Sequence, residues 1–187
     1  MNEREAQAAE TAADVLAFWL AAGHDCWFEH DEAFDAEIRA RFAAVYEDAA
    51  AGRLSAWEQS THGALALVIA LDQFPRNMFR DSGRAFAADP LARAVAARAI
   101  ARGFDQQVGM PARVFFYLPF EHSEDLADQE RGVALFRATG DADQLKWAQS
   151  HADIIRRFGR FPHRNAVLGR TTTADEQAFL DGGGFKG

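Results

Sequence analysis

Residues 64–71 read ALALVIAL, and this stretch decides the fold class of the chain. An apolar run of this length suits a buried strand as well as a buried helix. Its alanine content favours a helix, and no alternating strand pattern occurs anywhere else in the sequence. We therefore predict a helix over residues 62–74, ended by Pro75, within an all-α fold.

Helical spacing outside this stretch predicts further helices, about eight in total. They cover residues 11–22, 32–51, 90–103, 111–118, 126–140, 141–158 and 173–181. Capping boxes are predicted at the first and last helix, side-chain N-caps at the second and fourth, and a break after the fifth at Pro119. The residues that carry these caps are Thr11, Asp14, Asp31, Asp89, Thr173 and Glu176.

The length and composition predict one compact domain over residues 1–187. A chain with 49% hydrophobic and 12% aromatic residues can bury a sizeable core. The short connections between predicted helices favour an antiparallel helical array. Residues 1–10 are polar and predicted to fray, and residues 182–187 are predicted to be flexible. The sequence leaves the oligomeric state open.

The charge balance argues against two classes of partner. The net charge is −8, and the first 60 residues carry thirteen acids against four bases. Nucleic acids and anionic membranes need a basic surface, so we expect neither as a partner. The acidic N-terminus does not resemble a signal peptide, the apolar runs are too short to cross a bilayer, and Cys26 is the sole cysteine. These features predict a cytoplasmic protein.

Two polar stretches share one motif. Residues 72–80 read DQFPRNMFR and residues 158–170 read FGRFPHRNAVLGR, so FPRN in the first is echoed by FPHRN in the second. The second stretch contains three arginines and no acid. Guanidinium groups bind carboxylates and phosphates through paired hydrogen bonds, which predicts a site for a small anionic molecule. The ligand-binding candidates are Asp72, Arg76, Asn77, Arg80, Arg160, Arg164, Asn165 and Arg170.

Asp72 is a carboxylate on an apolar helix face. Its helical spacing from Leu65 and Val68 places it toward the core, where an ionised group needs a cationic partner. Arg76 is the nearest candidate for that partner, and Arg164 is the distant one. The alternative interpretation is an ion pair that only ties two turns together.

Three side chains are candidates for proton transfer. Glu121 and His122 lie at the predicted helix break, and His163 lies next to Arg164, whose charge should lower the pKa of the imidazole. A neutral His163 suits a general base, and it equally suits a structural hydrogen bond. His151 lies on an apolar helix face and is predicted to be a hydrogen-bonded core residue. The histidines lack the partners of a metal-binding motif, and no cofactor fingerprint is present, so we expect neither metal nor cofactor.

Several longer motifs extend across nearly the whole chain. They are Val15-Leu16 with Phe18-Trp19, Trp27-Phe28, LDQFPRNMFR at 71–80, Phe86 with Asp89, YLPFEHSE at 117–124, Gln129-Glu130, and FGRFPHRNAVLGR at 158–170 followed by Thr172-Thr173 and Glu176. With these motifs the sequence resembles the mainly bacterial family catalogued as domain of unknown function 924. The resemblance implies a tetratricopeptide-repeat-like all-α fold. It supplies no established activity, so no catalytic role is transferred from it.

Two functions of different classes remain. The first is a pocket for a small anionic molecule, with hydrolytic chemistry carried by Glu121, His122 and His163. The second is a helical scaffold that binds a peptide or protein partner and uses the polar motifs as structural joints. Geometry distinguishes them: Arg76, Arg164, His163 and Glu121 around one solvent-reachable cavity would favour the pocket. Occupation of each by another side chain or carbonyl would favour the scaffold.

Overall fold

The computed structural model describes residues 10–185, and every regular element in this part of the chain is helical. The all-α prediction is therefore confirmed. The α-helices are α1 (Ala12–Phe28), α2 (Glu32–Ala50), α3 (Thr61–Val68), α4 (Phe74–Met78), α5 (Asp89–Ala101), α6 (Leu118–Glu121), α7 (Leu126–Thr139), α8 (Ala142–Phe158) and α9 (Ala174–Asp181). A π-helical segment joins α3 to α4, and short 3-10 helices lie between several of the others.

Side-chain caps fix most helix starts as predicted. The Thr11 hydroxyl accepts a hydrogen bond from the backbone N–H of Asp14, whose carboxylate accepts from Thr11 in return, and α9 begins with the same arrangement. Asp31 accepts from the first backbone N–H groups of α2. Helices α7 and α8 end at Gly140 and Gly159, where φ is 78° and 69°. Only glycine adopts this left-handed conformation at no steric cost, so both stops are readable from the sequence.

Helix α3 lies at the centre of the hydrophobic core. All of residues 64–71 are buried, as a helix that is apolar on every side requires. It packs against α1 and α5. Beside it, the Trp19 ring meets the edges of Phe74 and Phe115 at centroid distances of 5.8 and 5.7 Å. Burial of each such ring contributes about 1.5–3 kcal/mol, so this cluster fixes how α1 and α4 come together.

The chain passes through Pro75 without leaving the helix, so the prediction that this proline ends the helix is wrong. In the π segment Ile69–Gln73, the N–H of Phe74 donates to the carbonyl of Ile69, five residues back. A proline within an α-helix clashes with the carbonyl four residues before it, and the wider π turn relieves that clash. The helical segment therefore continues as α4 to Met78.

Four other predicted features of the helices are wrong. Helix α1 bends at Gly23, where φ is 80°, and then continues to Phe28. Pro119 does not end a helix but lies in the first turn of α6, where its missing N–H is not needed. Residues 112–116 form a 3-10 helix in place of the predicted α-helix. Asp89 does not cap α5 with its side chain, because Arg76 holds that carboxylate.

Several fold predictions concern the ends of the chain or stay untested. Glu10 pairs with Arg41 at 2.9 Å, whereas residues 1–9 of the predicted frayed segment lie outside the described residues, as do residues 186 and 187. The flexibility of residues 182–187, the single-domain organisation and the tetratricopeptide-like repeat stay predictions. Within residues 10–185, no helix has the length and apolar character to cross a bilayer.

Candidate functional site

A buried polar cluster lies where the π segment, the start of α5, the α6–α7 connection and residues 158–170 meet. At its centre, Nδ1 of His122 lies 2.9 and 3.0 Å from the two carboxylate oxygens of the fully buried Asp72. Burial opposes ionisation of Asp72, but Arg76 and His122 outweigh it and lower the carboxyl pKa to about 2. An ionised carboxylate can only accept, so Nδ1 of His122 carries the proton and Nε2 is left as an acceptor.

Two guanidinium groups converge on Asp89. Arg76 makes a two-pronged contact, with Nη1 at 2.9 Å from Oδ1 and Nη2 at 3.0 Å from Oδ2. Nη1 of Arg164 lies 3.6 Å from Oδ2 of Asp89 and donates to the backbone carbonyl of His122 at 3.1 Å. The arginines of the two related motifs therefore meet. Of the two candidate partners for Asp72, Arg76 lies 3.4 Å from its Oδ1, whereas Arg164 approaches Asp89 instead.

The Arg164 guanidinium contacts two aromatic rings. Its central carbon lies 4.4 Å from the ring centroid of Phe86 and 4.5 Å from that of Phe161. Its Nε is buried and has no hydrogen-bond partner among the described residues. Burial and the positive charge of Arg76 lower the pKa of Arg164 to about 10. Arg164 is thus a fixed cation that its carboxylate neighbours neutralise incompletely.

Glu121 lies behind the cluster in a second buried pair. Its Oε1 is 3.0 Å from Nδ1 of His151, which also lies 3.0 Å from the backbone carbonyl of Trp147. Burial, with a smaller effect from the charge of Asp72, raises the pKa of Glu121 to about 8. Burial lowers the pKa of His151 to about 4. Both groups are neutral near pH 7, and the prediction that His151 is a hydrogen-bonded core residue is confirmed.

His163 lies among aromatic rings and not among polar groups. It contacts Phe161 and Phe185 at centroid distances of 5.6 and 5.1 Å, and its buried Nδ1 has no partner among the described residues. Burial, followed by the charges of Arg164 and His151, lowers its pKa to about 3. The predicted direction of this shift is confirmed, but burial and not the neighbouring arginine is its main cause.

A groove of about 520 Å³ opens onto the cluster. His122, Asp89 and Arg164 form part of its lining, together with Ser123, Glu124 and Arg93. Its more apolar side consists of Phe86, Ala87, Pro90 and Leu168. Arg76, Glu121 and His163 do not line it. Of the four residues that the pocket hypothesis places around one cavity, only Arg164 lines the groove. Arg76 and Glu121 are held by partners, and His163 lies against Phe161 and Phe185.

The remaining predicted ligand-binding residues are paired within the chain. Arg80 holds Asp35 with two nitrogens, and the Asn77 amide donates to the same carboxylate at 2.7 Å. These contacts join α4 to α2. The other pairs are Arg160 and Asn165 with Glu176, and Arg170 with Glu124. They join residues 158–170 to α9 and to the α6–α7 connection.

Three residues that shape this region are not among the predicted site residues. The sequence predicts Asp89 as a helix cap, and Phe86 and Glu124 occur only within the longer motifs. Phe86 stacks on Arg164, and Glu124 accepts two hydrogen bonds from Arg170 and one from the backbone of Phe161. The signal that could have identified Phe86, Asp89 and Glu124 is their place inside the motifs FAADP at 86–90 and FEHSE at 120–124.

Metal ligation receives no support from the described side chains. No group of three or more His, Cys, Asp or Glu residues within 10–185 has the arrangement of a metal site. The absence of a metal or cofactor therefore stays a prediction, and the chemistry of the site depends on imidazole, guanidinium and carboxyl groups.

The fold and the cluster together define an all-α protein with a buried Asp–His–Arg network beside a groove. A family model described as "Bacterial protein of unknown function (DUF924)" matches residues 15–184, and the chain belongs to that family. It is similar to the solved structure of the protein of unknown function ATU0120 from Agrobacterium tumefaciens. The two share 47% sequence identity over 91% of this chain and 97% of the other, with a TM-score of 0.89. No curated protein matches the sequence.

Proposed function

We propose that the groove binds a small anionic molecule at Arg164 and that His122, oriented by Asp72, acts as a general base in a hydrolytic reaction there. One observation carries the proposal. An incompletely neutralised, buried guanidinium and an imidazole held by a buried carboxylate line the same groove. Neither arrangement is needed merely to join helices. The proposal keeps the cytoplasmic location expected from the sequence.

Arg164 is the anchor for the anion. The Phe86 and Phe161 rings both contact its guanidinium, so little side-chain freedom is lost when a ligand binds. The distance of 3.6 Å to Asp89 is long for a hydrogen bond, and Nε has no partner among the described residues. An incoming carboxylate or phosphate oxygen would supply the missing acceptor.

His122 is the base. Burial and the charge of Arg76 lower the pKa of the imidazole, which keeps it neutral near pH 7 despite the opposing effect of Asp72. With Nδ1 bound to Asp72, Nε2 can accept a proton from water while the water oxygen forms a bond to the carbonyl or phosphoryl centre. Asp72 then stabilises the imidazolium, which returns the proton to the leaving oxygen as the ester bond breaks.

The scaffold alternative is favoured by a different observation. Asn77, Arg80, Arg160, Asn165 and Arg170 are each engaged by a carboxylate of the chain, as structural joints would be. Trp147 is 57% exposed on α8 and offers an apolar contact for a peptide or protein. The two functions use different residues, so variants separate them.

Binding is tested by thermal shift with acetate, inorganic phosphate, malate and glycerol 3-phosphate. We expect at least one anion to raise the melting temperature of the wild type, because a ligand that binds only the folded state stabilises it. Arg164→Lys should abolish the shift, since lysine keeps the charge but not the planar donor pair. Arg98→Lys, on an exposed arginine paired with Glu58, is the matched control and should keep it. If no anion stabilises the wild type, the proposal fails.

Hydrolysis is tested with p-nitrophenyl acetate and p-nitrophenyl phosphate. His122→Asn keeps a side-chain N–H for Asp72 but removes the acceptor nitrogen, so we expect the rate to fall at least about tenfold while the anion-induced thermal shift remains. The rate of the wild type should rise with pH through the lowered pKa of His122. Equal rates for the wild type and the variant would show that His122 is not the general base. The groove would then be a binding site without the proposed hydrolytic reaction.

A further inference from the structure

We infer that the anionic group of the ligand is a carboxylate attached to an apolar group, so that the groove takes short alkyl or aryl monocarboxylates in preference to phosphates. This inference rests on the proposed function and names its ligand class. Three features of the site support it: the part of Arg164 that is unoccupied, the charge already present around it, and the composition of the groove wall.

The unoccupied part of Arg164 has the geometry that this chain uses elsewhere for carboxylates. Arg98 holds Glu58 through Nε and Nη2 at 2.7 and 2.8 Å, and Arg160 holds Glu176 through the same two nitrogens at 2.6 and 2.8 Å. Arg80 holds Asp35 in the same way. In Arg164, Nη1 is the nitrogen that donates to the His122 carbonyl, and Nε has no partner among the described residues. Because Arg164 lines the groove, a planar carboxylate there can take up the donor capacity that the chain leaves unused.

The charge around Arg164 favours a monoanion. Two guanidinium groups, Arg76 and Arg164, lie with two carboxylates, Asp72 and Asp89. The imidazole of His122 is neutral near pH 7, because burial and Arg76 lower its pKa. Because the contact of Arg164 with Asp89 is long, at 3.6 Å, Arg164 can pair with the single negative charge of a bound carboxylate, whereas a phosphate monoester adds up to two negative charges at neutral pH. Each uncompensated charge is costly in a buried site.

The groove wall requires an apolar portion in the ligand. Phe86 is partly exposed, Ala87 and Pro90 are exposed, and Leu168 is 39% exposed on the same wall. Exposed large apolar side chains are few in the described chain, and Leu168 is the one of them that lines this groove. An alkyl chain or ring lying on this wall removes apolar surface from water while its carboxylate reaches the arginine.

Isothermal titration calorimetry at pH 7.5 with hexanoate, acetate, hexyl phosphate and inorganic phosphate tests this inference. We expect hexanoate to bind about tenfold or more tightly than either acetate or hexyl phosphate. Arg164→Lys should weaken hexanoate binding about tenfold or more. Leu168→Ser should weaken it about threefold or more, whereas Leu20→Ser, which is 40% exposed on α1 and lies outside the groove, should have no effect.

The outcomes separate this inference from the proposed function. Hexyl phosphate binding as tightly as hexanoate, with Arg164→Lys weakening both, would overturn the carboxylate preference and leave the anion site intact. Equal affinities for acetate and hexanoate would overturn the apolar contact. If none of the four compounds binds, or if Arg164→Lys binds them all like the wild type, the proposed anion site itself fails.

Discussion

Asp89→Asn is expected to lower the free energy of unfolding by about 3–5 kcal/mol, because it removes the carboxylate on which two buried guanidinium groups converge. Arg164 is 6% exposed, and the side chain of Arg76 is 20% exposed, so water cannot replace the lost charge. Asparagine keeps the size of the side chain, and cavity formation therefore contributes little. Equilibrium unfolding in urea measures the difference.

Two further variants show whether buried charge is the cause. Glu47→Gln breaks the pair with Arg84, in which both side chains are more than half exposed, and should change the stability by less than about 1 kcal/mol. Adding Arg164→Met to Asp89→Asn removes one of the stranded charges and should restore about 1 kcal/mol or more. A loss below about 1 kcal/mol in Asp89→Asn, or no recovery in the double variant, would contradict this account of the cluster.

The fold was largely predictable because its signals are local. Capping boxes, N-caps and left-handed glycines depend on residues three or four positions apart, and α-helical spacing extends over one element. The failure at Pro75 has a physical cause. The rule that proline ends a helix assumes four-residue hydrogen bonding, whereas the N–H of Phe74 donates five residues back. Nothing in the sequence of residues 69–73 distinguishes this five-residue hydrogen bonding from that of an ordinary α-helix.

The site was only partly predictable because its partners are distant in sequence. Arg164 donates to the carbonyl of a residue 42 positions away, and Arg76 binds a carboxylate 13 positions away. The polar motifs correctly identified arginines that meet. They could not show that Arg80, four residues after Arg76, leaves the cluster and joins α4 to α2 through Asp35.

The arginines of each motif have two different roles, and this explains why both hypotheses drawn from the sequence remain proposals. Within each motif one arginine, Arg76 or Arg164, enters the buried cluster, while its neighbours Arg80 and Arg160 join helices. The joints hold the segments that carry the cluster in fixed positions. Loss of a joint should therefore disturb the groove indirectly, and only Arg164 and His122 test the chemistry directly.

Glu121 should give the stability of the protein an unusual dependence on pH. Burial raises its pKa to about 8 in the folded chain, whereas an ordinary glutamate titrates near 4.5, so the folded state retains a proton that the unfolded chain releases. The stabilisation from this proton is complete below pH 4.5 and is lost as pH rises toward 8. His151 and His163 act in the opposite sense, because their pKa values are lowered to about 4 and about 3. These two histidines lower the stability of the folded protein as pH falls below 6.5, because the unfolded chain then binds protons that the folded chain does not. The stability should therefore be greatest near pH 6.5.

Glu121→Gln is expected to remove the alkaline side of this maximum. The histidines act alike in both proteins, so the stability of the wild type relative to the variant should fall by about 1.6 kcal/mol between pH 6.5 and 8, at up to about 1.4 kcal/mol per pH unit. Glutamine has the shape of the protonated acid but does not titrate, so the variant should show only the small gain in stability that follows as the histidines of the unfolded chain lose their protons. Urea unfolding at half-unit pH intervals measures both profiles, with Glu47→Gln as the control that should follow the wild type. A difference between the wild-type and Glu121→Gln profiles that stays constant from pH 6.5 to 8 would show that Glu121 is already ionised at pH 6.5, which would contradict a neutral carboxyl behind the cluster.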